Sequence, residues 1–234
     1  MPKKDEIYSS LPQSFVLFKP KDIVSGDFYF FQKNDKCVFI AAADCTGHGV
    51  PGAFMSIIGS EKLEYAISQS TDTSEILKQL NKGIKTSLRQ SDSNESTRDG
   101  MDLAICYIDT ENHIVKYAGA NRPIWIIRKN QTDIEEIKAT KTAIGGLTDD
   151  NQYFDTHELK LQQDDTFYIF SDGYADTFSE QNGKKLTTKK FKQILIDIQA
   201  MTMQEQEIHL NNFIEDWKTG TEQIDDILVI SVRL

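Results

Sequence analysis

The chain of 234 residues has three cysteines, Cys37, Cys45 and Cys106, with no Cys-x-x-Cys pair and an odd one left over if two join. That count excludes a disulfide-stapled secreted scaffold and a thiolate zinc site. A reducing, cytoplasmic setting is expected, with cysteine inside apolar runs acting as a small buried hydrophobe. No apolar run approaches a membrane span, and the amino terminus lacks a signal-peptide pattern. Without such a signal, the sequons Asn94-Glu95-Ser96 and Asn130-Gln131-Thr132 read as chance matches. Basic residues are also short, 26 against 36 acidic, for a formal charge of −10. Neither nucleic acid nor an anionic membrane suits that balance as a main partner. No repeat or low-complexity segment is present, so one domain is expected over residues 15–234, with the polar, proline-containing residues 1–14 as a linker stub.

What the chain does have is aspartate at the ends of hydrophobic runs. Asp27 follows Ser25-Gly26, Asp44 opens Asp-Cys-Thr-Gly-His-Gly, Asp172 precedes Gly173, and Asp225-Asp226 leads into Ile227-Leu228-Val229-Ile230. Strands that deliver carboxylates beside glycine hold charge at a solvent-facing edge. Gathered together, such carboxylates repel one another unless cations neutralise them, and oxygen-only ligands favour hard ions such as Mg²⁺ or Mn²⁺.

Patterning predicts hairpins at 27–31 with 37–43, at 103–108 with 114–118, and at 124–128 with 134–137, plus buried strands at 167–171 and 227–232. Helices are predicted from Pro51 to Ser68, with Phe54, Ile57 and Ile58 on one side, and over 74–88, capped by Thr73 or Ser74. Two more carry Phe191, Ile194, Leu195 and Ile198, and Leu210, Phe213, Ile214 and Trp217, at core spacing. The polar stretch from Gln90 to Gly100 reads as a mobile loop. Serial hairpins with one-sided helices make a layered α+β domain.

The order Ser-Gly-Asp, Ala-Asp-Cys-Thr-Gly-His-Gly-Val-Pro-Gly-Ala, Ala-Gly-Ala-Asn-Arg-Pro, Ser-Asp-Gly-Tyr-Ala-Asp and Asp-Asp-Ile-Leu-Val-Ile resembles the metal-dependent serine/threonine protein phosphatases, type 2C-like. The branch it is similar to is the bacterial one of stage II sporulation protein E and the sigma-factor regulatory phosphatases. The resemblance spans residues 11–234. It implies a four-layer α-β-β-α sandwich with two central antiparallel sheets and a centre of two Mn²⁺ or Mg²⁺ ions. Carried over, Asp44 bridges both metals, Asp27 and the Cys45 carbonyl hold one, and Asp172 with Asp225 or Asp226 holds the other, the family pattern favouring Asp225. Asp27, Asp44 and Asp172 are thereby the candidate catalytic residues. The chemistry expected is attack on a phosphoserine or phosphothreonine by a water shared between two cations, which lower its pKa and screen the phosphate.

Other residues divide between roles. Arg122, in Ala-Gly-Ala-Asn-Arg-Pro, is the candidate substrate contact, since arginine forks match phosphate, or a solvated arginine at a hairpin. Asp102 reads as a surface turn acid, with a third, weaker metal as its other reading. His48, four residues from Asp44, is assigned a structural or helix-start role. Because the helix from Pro51 adjoins the Asp44 loop, substitutions at Phe54 or Ile57 are expected to change metal affinity, or else only core packing. The resemblance further implies a phosphorylated partner similar to an anti-sigma-factor antagonist, an N-terminal sensor domain in the parent protein, and room for a homodimer. The other class of function is a phosphatase-like binding module without turnover. Such a copy is expected to lose metal aspartates, and this chain keeps all four positions.

Overall fold

Alternation along single strands decides the layering. In the run 37–45, Val38, Ile40 and Ala42 belong to one buried cluster and Phe39, Ala41, Ala43 and Cys45 to another. A strand buried on both faces has to lie between two layers. The computed structural model, which describes residues 1–34, 37–90, 97–180 and 183–234, provides them. In chain order the elements are α1 (Lys4–Ser10), β1 (Ser14–Lys19), β2 (Phe28–Asn34), β3 (Cys37–Cys45), α2 (Gly49–Gln69), α3 (Thr73–Ser87), β4 (Gly100–Asp109), β5 (Ile114–Ala120) and β6 (Ile124–Ile127). They continue with β7 (Glu135–Ile137), β8 (Ile144–Gly145), β9 (Thr156–Lys160), β10 (Thr166–Phe170), α4 (Gly173–Asp176), α5 (Thr188–Asp197), α6 (Met203–Trp217) and β11 (Ile227–Arg233).

One sheet has the order β1-β11-β10-β6-β7, the other β2-β3-β4-β5-β9, with β8 paired to the start of β4. Neighbouring strands in both are antiparallel. Between the sheets lie Val16, Ile40, Cys106, Ile169 and Ile230. Helices α2 and α3 cover the outer face of the second sheet through Leu63, Ile67, Ile76, Leu80 and Ile84. Helices α5 and α6 cover the first through Phe191, Leu195, Leu210 and Ile214. The α-β-β-α sandwich and the three expected hairpins are therefore present.

Some local expectations are corrected. Residues 1–14 include α1, whose Ile7 is fully buried with Leu11 in the core between the sheets. An apolar pair at i, i+4 docks one helical turn without leaving a periodic signal. Strands β1 and β9 were not predicted. The run Phe15-Val16-Leu17-Phe18 is too short for periodicity to separate strand from helix, and β9 buries only Leu159. The cap of α3 is Asp72, whose carboxylate accepts from the Glu75 N–H at 3.0 Å, because Thr73 and Ser74 are buried. The largest correction concerns α2. Phe54 and Ile57 are 64% and 65% exposed, and the buried face holds Gly52, Met55, Ser56, Gly59, Leu63, Ala66 and Ile67. The helix lies so close to the sheet that a Cβ on Gly59 would stand 2.5 Å from Met101 Cε, so small residues face inward. Residues 91–96 of the expected loop lie outside the described residues.

Candidate functional site

Antiparallel pairing brings the aspartates to one end of the sandwich. Phe28 opposes Ala43, so Asp27, just before β2, meets Asp44 at the end of β3. Phe170 opposes Val229, so Asp172, two residues past β10, and Asp225, two residues before β11, come to the same end of the sheet, close enough for the Asp172 charge to act on Asp225. Both sheets thus deliver carboxylates to the same edge. There, Asp44, Asp172 and Asp225 border a cavity of about 720 Å³, together with Cys45, Thr46, Gly47, His48, Arg98 and Asp102. The opposite rim comes from Thr142, Leu147 and Thr148, on both sides of β8.

Asp27 does not line the cavity itself; it lies beside Asp44, 2% exposed, and its Oδ2 is buried with no hydrogen-bond partner. Burial first, and the Asp44 charge second, push its carboxyl well above the ordinary carboxylate range. Burial also raises Asp44, to about 7, against the opposing pull of Arg122. Asp225 is raised by burial and by Asp172 and Asp226, although its carboxylate accepts the Asp226 N–H at 2.9 Å. Asp226 is spent differently. It is 2% exposed, and its two oxygens accept from the Lys21 and Gly26 backbone N–H groups, each at 2.8 Å. The adjacent acids are therefore separated, Asp225 facing the cavity and Asp226 tying down the loop before Asp27.

Two glycines let that loop sit against α2. A Cβ on either Gly26 or Gly52 would stand 2.2 Å from the Gly47 carbonyl oxygen. The Asp27 loop, the Asp44 loop and the first turn of α2 thus meet at a joint with no room for a side chain.

Arg122 is brought in from the β5–β6 turn. Its Nη2 donates to Asp44 Oδ2 at 2.8 Å and Asp172 Oδ2 at 2.7 Å, and lies 3.2 Å from Asp102 Oδ2. It is not a solvated hairpin arginine, being only 15% exposed. Asp102 is not a surface turn acid either. It stands opposite Asp44 in the β3–β4 register, and its Oδ1 accepts from Asn121 Nδ2 at 2.8 Å. His48 starts α2 and contacts Asp22 Oδ2 through Nδ1 at 3.0 Å and Lys21 Nζ through Nε2 at 3.1 Å. Sequence reasoning passed over Asp22, Asn121 and Arg98, which acquire partners or a cavity only through folding.

The donor set fits a hard divalent ion. Its side chains are carboxylates, one with an orphaned buried oxygen, and the Cys45 carbonyl oxygen would lie 3.4 Å from a Cβ placed on Gly26, the residue before Asp27. Burial, then the charges of Asp27 and Asp44, push the Cys45 thiol well above its ordinary value, so sulfur stays neutral and offers no thiolate. Among the described residues no three acidic, histidine or cysteine side chains already close around one point, because Arg122 stands between Asp44 and Asp172.

The four-layer sandwich has the architecture of the PP2C-type domains. The chain belongs to the stage II sporulation protein E (SpoIIE) family, whose model matches residues 34–234. It is 29% identical over 171 residues to the phosphoserine phosphatase RsbU of Bacillus subtilis (strain 168), covering 69% of this chain and 46% of RsbU. The chain therefore spans about half the length of that curated relative. The SiaA-PP2C domain of Pseudomonas aeruginosa superposes with a TM-score of 0.87 at 26% identity, over 99% of this chain and 90% of that one. RsbX in complex with magnesium shares the fold, with a TM-score of 0.66 at 19% identity over 94% of each chain.

Proposed function

We propose that this domain hydrolyses phosphoserine or phosphothreonine on a regulatory protein, using divalent ions held by Asp27, Asp44, Asp172, Asp225 and the Cys45 carbonyl. The observation that carries the reading is the convergence of Asp44, Asp172 and Asp225 on one cavity, with Asp27 beside Asp44 by register and its buried Oδ2 left without a partner. The similarity to a phosphoserine phosphatase and to a magnesium-holding relative supports it. Bound there, two Mg²⁺ or Mn²⁺ ions supply Lewis acidity and a water nucleophile active near neutral pH.

The chain's own residues do the rest. Asp226 fixes the loop that presents Asp27, and the three-loop joint at Gly47 holds Asp27 and Asp44 in mutual register. The cavity opens between the Asp44 loop and the 142–148 segment, which admits a side chain displayed on a protein surface. Arg98 lines its wall, and among the described residues no hydrogen bond or ion pair engages it, so its guanidinium is available to a phosphate. Arg122, the expected phosphate contact, is committed to carboxylates and serves that role only if those bonds are exchanged. The substrate best suited to the family is a phosphorylated antagonist of an anti-sigma factor, with a sensor domain elsewhere in the parent protein and the reaction in the cytoplasm.

The test is phosphate release from a phosphoserine protein as Mn²⁺ is raised, with Asp44→Ala as control. Saturable, Mn²⁺-dependent release that the substitution reduces at least a hundredfold is expected. Absence of release at every Mn²⁺ concentration would instead make the domain a binding module.

A further inference from the structure

Arg122 is placed by more than charge. Asn121 before it adopts a φ of 58°, and the Arg122 N–H donates to the Ala120 carbonyl at 2.7 Å. The Tyr117 hydroxyl donates to the Arg122 carbonyl at 2.6 Å. Gly119 makes room for this clamp, since a Cβ there would lie 2.2 Å from the Tyr117 hydroxyl and 2.5 Å from the Arg122 carbonyl. Asn121 also holds Asp102, the third carboxylate of the group. The side chain is enclosed, and its Nε is buried without a partner. An arginine that merely decorated a turn would need none of this.

One nitrogen makes all three contacts. Nη2 lies 2.8, 2.7 and 3.2 Å from oxygens of Asp44, Asp172 and Asp102. A Mg²⁺-like ion binds carboxylate oxygen at about 2.0–2.1 Å, so an ion shared by Asp44 and Asp172 needs the space that Nη2 fills. An ion seated between those two oxygens and the guanidinium nitrogen cannot occupy the same position.

We propose that Arg122 is a positioning residue that competes internally with the divalent ion. It keeps Asp44, Asp102 and Asp172 assembled while no ion is bound, and it withdraws Nη2 from Asp44 and Asp172 when one is. The proposal rests on the reading of this cluster as a metal centre. Two consequences follow from the geometry. Removing the guanidinium strengthens ion binding, and it weakens the protein only while the ion is absent.

The experiment combines Mn²⁺ titration calorimetry with thermal melts, in chelator and in saturating Mn²⁺, on wild type, Arg122→Gln and Arg122→Lys. Arg122→Gln is expected to bind Mn²⁺ about tenfold more tightly, the scale of one unit charge removed at close range. It is expected to melt below wild type in chelator and level with it in Mn²⁺. Arg122→Lys retains charge without the fork and is expected to bind a few-fold more tightly, which decides the matter should the glutamine variant fail to fold. Unchanged or weaker binding overturns the proposal, as does a melting deficit that persists in Mn²⁺, because Arg122 would then be a lasting partner of the occupied centre. Wild type that binds no Mn²⁺ overturns the metal reading along with it, whereas wild-type binding that the variants leave unaltered overturns this inference alone.

Discussion

Strand β10 runs between two acidic sites built on opposite plans. Before its first residue, Asp165 is 1% exposed, yet its carboxylate takes three hydrogen bonds: from Arg128 at 3.0 Å and from the Lys129 and Gln162 backbone N–H groups at 2.8 Å each. Burial opposes its charge, but the backbone donors and Arg128 outweigh it and hold the carboxyl below the ordinary range. Past the other end, Asp172 joins Asp44, and Asp27 is as buried as Asp165 but has an oxygen with no donor. Burial is shared, so burial does not separate the two sites. Donors do. Where a buried carboxylate is fully bonded, it anchors loops; where it is left short, it is kept for something that arrives.

The comparison can be broken most directly at Asp165. Replacing it with alanine leaves the Lys129 and Gln162 backbone donors without their acceptor, while Arg128 keeps Glu135 and the Lys160 carbonyl, and about 3 kcal/mol of stability is expected to go. Denaturant unfolding measures this, and Mn²⁺-dependent release per folded molecule should stay at the wild-type level. A loss of turnover instead would mean the two ends are not separate in function.

A gentler test uses pH, in chelator. Asp44 has its folded pKa raised to about 7, so its stabilising contribution is full below the ordinary carboxylate value of about 4 and is lost as pH climbs to about 7. Asp165 has its folded pKa lowered, so its contribution is present above about 4 and is lost as pH falls through the folded value. Melting temperature against pH should therefore decline less steeply on the neutral side in Asp44→Asn, where Asp27, Asp102 and Asp225 keep the remainder, and less steeply on the acid side in Asp165→Asn. Identical slopes in all three proteins would show that donors do not set the difference.

The smallest effect is expected at Phe54. Its side chain is 64% exposed on α2, so Phe54→Ser should change the stability of the domain by less than about 0.5 kcal/mol. A larger loss in the monomeric domain would mean that α2 packs differently from the arrangement described. The idea that core packing alone makes Phe54 and Ile57 matter is already excluded by their exposure. The close contact between α2 and the Asp44 loop is made at Gly26, Gly47 and Gly52.

Much of this architecture was legible in the chain. The period-2 runs gave three hairpins and both central strands, and the helical stripes of α3, α5 and α6 were buried as expected. Elements with one or two buried residues, α1 and β9, were not legible, because a docked turn or an edge strand needs too few apolar residues to leave a period. Helix α2 misled for another reason. Its inner face is made of small residues, so its bulkiest apolar side chains mark the outside. Within the site, the aspartates were found from their places at strand ends, while the surroundings of Asp102 and Arg122 were not legible because register and turn geometry place them.

By itself the sequence determined which carboxylates end strands, how the strands alternate, and therefore that two sheets with helical covers would form. Local chemistry suffices for that, since alternation and strand-end position are properties of neighbouring residues. Only the tertiary structure turned Asp225 to the cavity and Asp226 to backbone donors, set Asp102 opposite Asp44, and placed Arg122 among three carboxylates. Those outcomes depend on strand register and on backbone N–H groups as far as 205 residues away along the chain, and no local pattern encodes which donor will meet which oxygen.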